Sequence, residues 1–150
     1  MTKASEQIVQ LHNVRFTWPG DTRPVLAVDE FCIDRGEHVF LRGPSGSGKT
    51  TLLSLIAAVL APQTGNITVD DVALASLRGG QKDQFRVDRI GLVFQQFNLL
   101  PFLSVHDNAQ LPCKFSKPRR LKASQSGRTL SEEADRLLQA MHSTSAGSAN

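Results

Sequence analysis

The sequence predicts an α/β fold that begins with antiparallel strands, and three features of its 150 residues support this prediction. Apolar residues alternate along two N-terminal segments, as they do in half-buried strands. A short strand-like run then enters a glycine-rich segment, which is followed by a helical pattern. Residues 90–94 are almost uniformly apolar, which is typical of a strand buried on both faces of a parallel sheet.

The individual elements follow from local patterns of apolar and turn residues. Asn13 marks an irregularity in the first alternating segment, and Pro19 with Gly20 separates that segment from the second. Asp70 and Asp71 are predicted to form the turn after a later strand. Up to residue 94, the predicted elements in order are strands at residues 8–18, 25–33 and 37–41, a helix at residues 49–60, and strands at residues 66–69 and 90–94.

Two helices are predicted in the C-terminal part from their N-terminal caps. Ser104 is placed to cap a helix that begins at Val105, and Thr129 with Glu132 forms a capping box. An amphipathic helical pattern follows the capping box. Residues 143–150 are small or polar and offer nothing to bury, so we expect a disordered tail there.

The composition predicts a soluble protein, and the N-terminus predicts one that stays in the cytoplasm. Hydrophobic residues make up 40% and charged residues 21%, and no stretch approaches the roughly 18 apolar residues that span a bilayer. The short polar N-terminus lacks the apolar segment of a secretory signal. Cys32 and Cys113 have no metal ligands at suitable spacing, so we expect buried free thiols rather than a zinc site.

The net charge of +3 is too small to argue for nucleic-acid binding. Most of it comes from a basic segment at residues 114–128 that contains no acidic residue. A solvated loop is the favoured interpretation, and contact with anionic lipid headgroups or with an acidic partner surface is the alternative. The basic residues of this segment are Lys114, Lys117, Arg119, Arg120, Lys122 and Arg128.

Residues 43–50 have the pattern G-x-x-x-x-G-K-[ST] between a predicted strand and a predicted helix, which is the context of a phosphate-binding P-loop. Glycines let the backbone approach a phosphate closely, and the helix directs its N–H groups and positive dipole end at the anion. Lys49 supplies a cation for the terminal phosphates, and the Thr50 hydroxyl is placed to coordinate Mg²⁺. The predicted nucleotide-binding residues of this segment are Gly43, Pro44, Ser45, Gly46, Ser47, Gly48, Lys49, Thr50 and Thr51.

Other P-loop proteins fit less well. Small nucleoside kinases usually carry this loop almost at the N-terminus, whereas here two strand-like segments precede it. A GTPase needs a base-recognising N-K-x-D downstream, and the sequence has none. Residues 88–91 match only the short D-x-x-G pattern. A kinase or a GTPase therefore remains a remote alternative, because the sequence contains no substrate-binding or base-recognising motif that would support it.

Three segments together resemble the nucleotide-binding subunit of ABC transporters: residues 18–20, 43–51 and 90–101. Within that family, the stretch that continues through residues 103–112 is most similar to subunits of lipoprotein-release and macrolide-export systems. The resemblance implies an incomplete P-loop NTPase core with an N-terminal antiparallel β subdomain and the start of a helical subdomain. It also implies ATP and Mg²⁺ as cofactors.

The resemblance assigns roles to two further residues. Trp18 matches the aromatic residue that stacks on adenine, and its alternative role is a core tryptophan at a strand end. Gln95 matches the Q-loop glutamine, which reaches Mg²⁺ or the attacking water, and its alternative is a solvated turn residue. The implied partners are a transmembrane permease subunit and a second nucleotide-binding subunit. The subunit itself would have no membrane span, bind no nucleic acid, and lie in the cytoplasm, peripheral on the inner face of the cell membrane.

The further motifs of that family do not follow Gln95. These are an L-S-G-G-Q signature, an apolar run ending in Asp-Glu, and a switch histidine. Residues 77–81 resemble the signature but precede Gln95, and residues 67–71 resemble an acidic strand but also come too early, so both are interpreted as turns. His142 ends a helix, where a solvated histidine is expected. The acidic residues after Gln95 are Asp107, Glu132, Glu133 and Asp135, and none follows a buried apolar strand.

No catalytic residue can therefore be named, and two hypotheses remain. The first is an ATP-binding subunit of an ABC transporter, of the export or lipoprotein-release type, truncated before these motifs. The second is a non-catalytic ATP-binding fragment of a truncated or decayed gene. On either hypothesis residues 1–142 are a partial nucleotide-binding domain, with a β part at 1–36, a P-loop core at 37–95, the start of the helical subdomain at 96–142, and the tail at 143–150.

Overall fold

The computed structural model describes residues 6–93, 99–125 and 127–146, with side chains as far as residue 141. These residues form two compact units, which divide between Arg89 and Ile90. Among the described residues, no helix has the length and apolar character needed to cross a membrane.

The first unit is built on a four-stranded antiparallel sheet. Its strands are β1 (Gln7–Phe16), β2 (Leu26–Asp34), β3 (Thr64–Val69) and β4 (Val72–Ala73), in the order β2-β1-β3-β4. The alternation in the sequence places every second side chain of β1 on the inner face, where the strand pairs with both of its neighbours. The predicted antiparallel pair is thus confirmed, and a third strand joins it.

The predicted irregularity at Asn13 is a shift of register between β1 and β3. Asn13 has a φ of 51°, and the pairing of β1 with β3 shifts between His12 and Arg15. Opposite this shift, a Cβ on Gly65 would lie 2.4 Å from the Asn13 carbonyl oxygen. The backbones therefore approach so closely here that only glycine fits at position 65.

The core of the first unit lies between the sheet and helix α1 (Lys49–Ile56). Leu11 and Val14 of β1 and Leu55 of α1 have no exposed surface, and Ile67 and Val69 of β3 are buried beside them. The sequence predicted that helix α1 would continue to residue 60, but it ends at Ile56. Ala58 adopts a positive φ of 56°, which cannot continue a helix. Asp70 and Asp71 form the predicted turn, and Arg35 pairs with both carboxylates at 2.7 and 2.6 Å.

Two strands predicted for a parallel sheet are not formed within the described residues. Neither residues 37–41 nor residues 90–93 belong to a strand, while Phe94 lies outside the described part. Phe40 is 88% exposed and Val93 is fully exposed. A strand needs ladder hydrogen bonds to a neighbour, and no described segment pairs with either of these.

Helix α2 (Gly80–Arg89) was predicted only as a polar segment. Its one buried residue is Phe85, so the sequence shows little apolar periodicity. Tertiary contacts hold it instead, because Arg86 donates a hydrogen bond of 2.9 Å to the Ala58 carbonyl. A single 3₁₀ turn, Leu74–Ser76, precedes it.

The second unit consists of helices α3 (Val105–Phe115), α4 (Lys117–Ala123) and α5 (Leu130–Ala146). Ser104 caps α3 as predicted, accepting a 3.0 Å hydrogen bond from the Asp107 amide. Helix α5 continues to Ala146, so residues 143–146 are helical rather than disordered, because extending a formed helix costs little per residue. The last four residues of the predicted tail lie outside the described part.

Two further predictions are wrong, namely a loop at the basic segment of residues 114–128 and buried thiols at both cysteines. Part of the basic segment forms helix α4 instead of a loop. Ser116 caps this helix by accepting a hydrogen bond from the Arg119 amide, and Pro118 stands in the first turn. Cys32 is exposed and Cys113 is half-buried, so neither thiol is buried. Cys32 is exposed because it falls on the outward-facing positions of β2.

The capping box of α5 predicts a pH-dependent stability. The Thr129 amide donates 2.7 Å to the Glu132 carboxylate, and this hydrogen bond, with one from the Thr129 hydroxyl, lowers the pKa of Glu132. A lowered pKa in the folded state stabilises the fold above the unfolded pKa and loses that effect as the pH falls through the folded pKa.

Glu132→Ala should therefore lower the thermal midpoint and the helical circular dichroism at neutral pH. The gap between this variant and the parent chain should close under acid conditions, where Glu132 is protonated in both states. A gap that stays constant with pH would show that the Glu132 charge does not act at this helix end.

Candidate functional site

The candidate site is the loop of residues 43–50, which leads into helix α1. Gly46 and Gly48 adopt positive φ values of 78° and 85°, a region that other residues rarely enter. A Cβ on Gly43 would lie 2.8 Å from the Ser47 hydroxyl oxygen, and one on Gly48 would lie 3.0 Å from the Val25 carbonyl oxygen. The glycines therefore allow both the turns of the loop and its close packing.

The loop folds around the ammonium group of Lys49. The Lys49 Nζ donates hydrogen bonds to the carbonyl oxygens of Gly43 at 2.8 Å and Pro44 at 2.7 Å, and lies 3.3 Å from the Ser47 hydroxyl. An ammonium has three N–H donors, so these contacts use all of them. The positive charge is thus held inside the curve of the loop, where an anion can exchange for the carbonyl partners.

Helix α1 begins at the end of the loop without a side-chain cap. Gly48 is its N-cap residue and makes no side-chain hydrogen bond, and the first turn contains no acidic residue. The N–H groups of a first helical turn need an acceptor, and the helix dipole favours a negative one. An uncapped helix start that adjoins a held lysine has the properties of an anion-binding site.

Trp18 lies beside the loop. Trp18 and the loop form the walls of one cavity of about 440 Å³, together with Val25 and Thr51. Trp18 is 42% exposed, and its ring lies perpendicular to the buried Phe16 ring, with a centroid distance of 5.0 Å and an interplanar angle of 89°. Phe16 thus supports Trp18 on one side and leaves part of the indole exposed in the cavity.

Val25 is the cavity residue that the sequence did not reveal. It lies just before β2, its amide bonds to the Phe16 carbonyl at 2.9 Å, and its own carbonyl approaches Gly48. Its position follows from the pairing of β1 with β2, so no local motif could have identified it. It joins the segment carrying Trp18 to the loop.

Thr50 is exposed in the first turn of α1, and its hydroxyl is a hard oxygen ligand of the kind that Mg²⁺ prefers. No cluster of three or more His, Cys, Asp or Glu side chains suitable for a metal occurs among the described residues. The donor set therefore fits a magnesium ion that arrives with phosphate oxygens and keeps water ligands. Gln95, the other predicted magnesium contact, lies outside the described residues.

The acidic residues that follow Gln95 in the sequence have structural partners. The Ser104 hydroxyl lowers the pKa of Asp107, and the guanidinium of Arg136 lowers the pKa of Glu133. Glu132 belongs to the capping box, and Asp135 lies 3.4 Å from the His106 ring nitrogen. The side chain of His142 is outside the described part.

The segment that resembles the signature has a local role. Gln81 accepts a hydrogen bond of 2.9 Å from the Arg78 amide, Gly79 has a φ of 50°, and α2 begins at Gly80. Residues 77–79 therefore lead into a helix that begins at Gly80, so the polar turn suggested by the sequence ends in the first turn of α2.

A G-x-x-x-x-G-K-[ST] loop that closes around its lysine at the start of a helix is the P-loop of nucleotide-binding proteins. Comparison with known proteins then gives the family. The family model described as ABC transporter matches residues 26–150. The chain belongs to the ABC transporter family.

Two curated relatives illustrate this membership. An uncharacterized ABC transporter ATP-binding protein of Mycobacterium tuberculosis is 42% identical over 130 residues, which are 85% of this chain and 52% of that protein. The ABC transporter ATP-binding protein MJ0796 of Methanocaldococcus jannaschii is 36% identical over 110 residues, 72% of this chain and 47% of that protein. The chain thus spans about half the length of the relatives it matches.

The solved structures give the fold. A dimeric post-hydrolysis structure of the ATP-binding cassette MJ0796 bound to ADP and Pi matches with a TM-score of 0.70 and 33% identity, covering 87% of this chain and 54% of that one. A second dimeric structure of this cassette matches with a TM-score of 0.66 at the same identity, covering 77% and 55%. The predicted fold class, an α/β partial P-loop NTPase core with an N-terminal antiparallel sheet, is confirmed.

Proposed function

We propose that this chain binds ATP with Mg²⁺ through residues 43–51, as the nucleotide-binding part of an ABC transporter subunit. The observation that carries the proposal is the Lys49 ammonium, held by two loop carbonyls at the uncapped start of α1. The β- and γ-phosphates replace these carbonyls as partners of Lys49, and the first-turn N–H groups bind the phosphate oxygens.

Trp18 is proposed to stack on the adenine. The cavity that Trp18 shares with the loop leaves room for a base, and Phe16 holds the indole from the side. Stacking on an aromatic ring contributes about 1 to 3 kcal/mol per base. Trp18 thus fixes the base while the loop fixes the phosphates.

Thr50 and Gln95 are the residues proposed to hold Mg²⁺. The ion would supply positive charge for the terminal phosphates there. The Thr50 hydroxyl lies on the same helical turn as Lys49, which suits a shared phosphate group. The post-hydrolysis MJ0796 structure holds ADP and Pi, which supports the assignment of an adenine nucleotide to this chain.

The finer assignment is an exporter of the lipoprotein-release or macrolide-export kind, and residues 90–112 support it by resemblance. Its proposed partners are a transmembrane permease subunit and a second nucleotide-binding subunit on the inner face of the membrane. The dimeric form of both MJ0796 structures supports the second of these. Residues 37–95 are proposed as the nucleotide-binding part and residues 96–142 as the start of a helical subdomain.

The residues of this chain are not proposed to hydrolyse ATP on their own. The sequence supplies no signature or acidic strand after Gln95, and the described carboxylates there serve helix caps and ion pairs. The chain by itself is therefore proposed to bind ATP without turning it over.

The test uses the fluorescence of Trp18, because the chain contains one tryptophan and no tyrosine. ATP should change this fluorescence in a saturable way, through stacking. Inorganic triphosphate should compete with ATP but should not reproduce the stacking signal. Failure of ATP to change the fluorescence, together with no ATP retained by the chain in equilibrium dialysis, would refute binding at this site.

Replacing Trp18 by alanine should weaken ATP binding by roughly five- to a hundredfold, which corresponds to the stacking energy. Trp18→Phe keeps an aromatic face and should restore most of the affinity. Binding of these variants can be measured by equilibrium dialysis, which does not depend on the tryptophan. Equal affinities of Trp18→Ala and the parent chain would assign Trp18 to packing alone.

A further inference from the structure

Helix α4 carries a concentration of positive charge that ATP binding does not explain. The segment of residues 114–128 has no acidic residue, and four of its cations lie within the seven residues of α4. Three of them are exposed, namely Lys117, Arg120 and Lys122. The fourth, Arg119, is half-buried and donates a 2.8 Å hydrogen bond to the Ile90 carbonyl.

The three exposed cations surround an exposed leucine. Residues three and four apart share one side of a helix, so Lys117, Arg120 and Leu121 lie together, with Lys122 on the adjoining side. Leu121 is 59% exposed. The opposite side of the helix carries Arg119 and Ala123, both half-buried. The helix thus has an outer face on which an apolar side chain stands among cations.

These exposed charges have no counterpart within the second unit as described. Lys114 pairs with Asp107 at 3.6 Å, and Arg128 pairs with Glu133 at 3.7 Å. Among the described residues, the outer cations of α4 form no ion pair. An uncompensated group of like charges repels itself, so an external anionic surface would stabilise this arrangement.

Phe115 extends the apolar part of the face. It ends α3, two residues before α4 begins, and it is 67% exposed. We propose that the α4 surface, defined as Phe115, Lys117, Arg120, Leu121 and Lys122, docks on an anionic lipid membrane. The cations contact the headgroups, and Leu121 and Phe115 enter the boundary between headgroups and acyl chains.

A lipid surface fits this set of side chains better than other polyanions. Nucleic acids offer negative charge with no apolar layer directly beneath it, and an acidic protein would need an apolar groove shaped for this short helix. Binding through exposed leucine and phenylalanine side chains is favourable only where these side chains leave water. The mixture of cations and large apolar side chains therefore favours a membrane.

The test is co-sedimentation of the full chain with vesicles. Phosphatidylcholine vesicles that contain phosphatidylglycerol should bind the chain, and pure phosphatidylcholine vesicles should bind it far more weakly. Each cation near an anionic leaflet contributes about 1 kcal/mol, or about fivefold, so Lys117→Gln, Arg120→Gln and Lys122→Gln combined should weaken binding about a hundredfold. Leu121→Ser should also weaken it, with all charges retained.

Matched controls separate this surface from net charge and from the nucleotide site. Arg23→Gln, Arg78→Gln and Lys82→Gln combined remove three charges from the first unit and should leave vesicle binding within about twofold. Lys49→Ala should bind vesicles like the parent chain. Thermal unfolding of each variant checks that the fold is retained, because all three α4 cations are exposed.

Three results would overturn the proposal. One is absence of binding to the anionic vesicles. Another is equal loss of binding in the first-unit control and in the α4 variant. The third is binding that is insensitive to Leu121→Ser while single-stranded DNA or an acidic peptide competes fully, which would assign the surface to a different polyanion.

Discussion

Replacing Lys49 by alanine is expected to weaken ATP binding by about ten- to a hundredfold. The substitution removes a charge-assisted hydrogen bond to phosphate, which contributes roughly 1.5 to 3 kcal/mol. It also removes the hydrogen bonds from Nζ to the carbonyls of Gly43 and Pro44 that hold the loop closed. Isothermal titration with ATP measures the loss directly.

Two controls separate a local effect at the loop from a general one. Lys82→Ala removes a lysine from the same unit, beside an apolar pocket formed by α1 and β3 rather than at the loop, and should leave ATP affinity unchanged. Adenosine has no phosphates, so its weaker binding should be the same in Lys49→Ala and in the parent chain. Equal ATP affinity of Lys49→Ala and the parent chain would mean that Lys49 does not meet the phosphates.

Replacing Leu11 by alanine should destabilise the first unit by about 2 to 5 kcal/mol. Leu11 lies in β1, one of the two central strands of the sheet, has no exposed surface, and pairs with Phe31 of β2 and Ile67 of β3. The smaller side chain leaves a cavity that the three paired strands cannot close. Because domains are stable by only about 5 to 15 kcal/mol, this loss should lower the urea midpoint clearly.

The matched control is Leu53→Ala on helix α1. Leu53 is 51% exposed, and the substitution keeps a good helix former, so the free energy of unfolding should change by no more than about 0.5 kcal/mol. If the two leucine variants unfolded at the same urea concentration, the core of the first unit would not lie between β1, β3 and α1.

The parts of the fold that sequence could predict are those determined by neighbouring residues. The alternation of apolar residues predicts β1 and β2. The side chains of Ser104 and Thr129 cap their helices through hydrogen bonds that span three positions. The register shift at Asn13 was also visible as a break in the alternation. Each of these features is local, so its signal survives in one sequence.

The parts that sequence missed depend on partners distant along the chain. Helix α2 is held through Phe85 and the contact of Arg86 with Ala58, and neither leaves a periodic pattern. The strands predicted at residues 37–41 and 90–93 have apolar sequences, but a strand also requires a hydrogen-bonded neighbour, and the described residues provide none. Apolar character alone therefore predicted burial where the structure shows exposure.

The residues of the candidate site also fall into two groups, those that the sequence could predict and those that it could not. The loop of residues 43–50 is contiguous, so its glycines, lysine and threonine were recognisable together. Its neighbours Trp18 and Val25 reach the cavity only through the pairing of β1 with β2. Trp18 was assigned by resemblance, while Val25 carries no motif and was not assigned.

The most direct test of the central claim is calorimetric titration of ATP and Mg²⁺ into the intact chain, with phosphate release followed in the same sample. We expect saturable binding at one site per chain and no phosphate release above the rate without protein. Absence of binding to monodisperse, folded chain would contradict the assignment of residues 43–51 to ATP. Phosphate release that is lost in Lys49→Ala would contradict the proposal that these residues bind ATP without hydrolysing it.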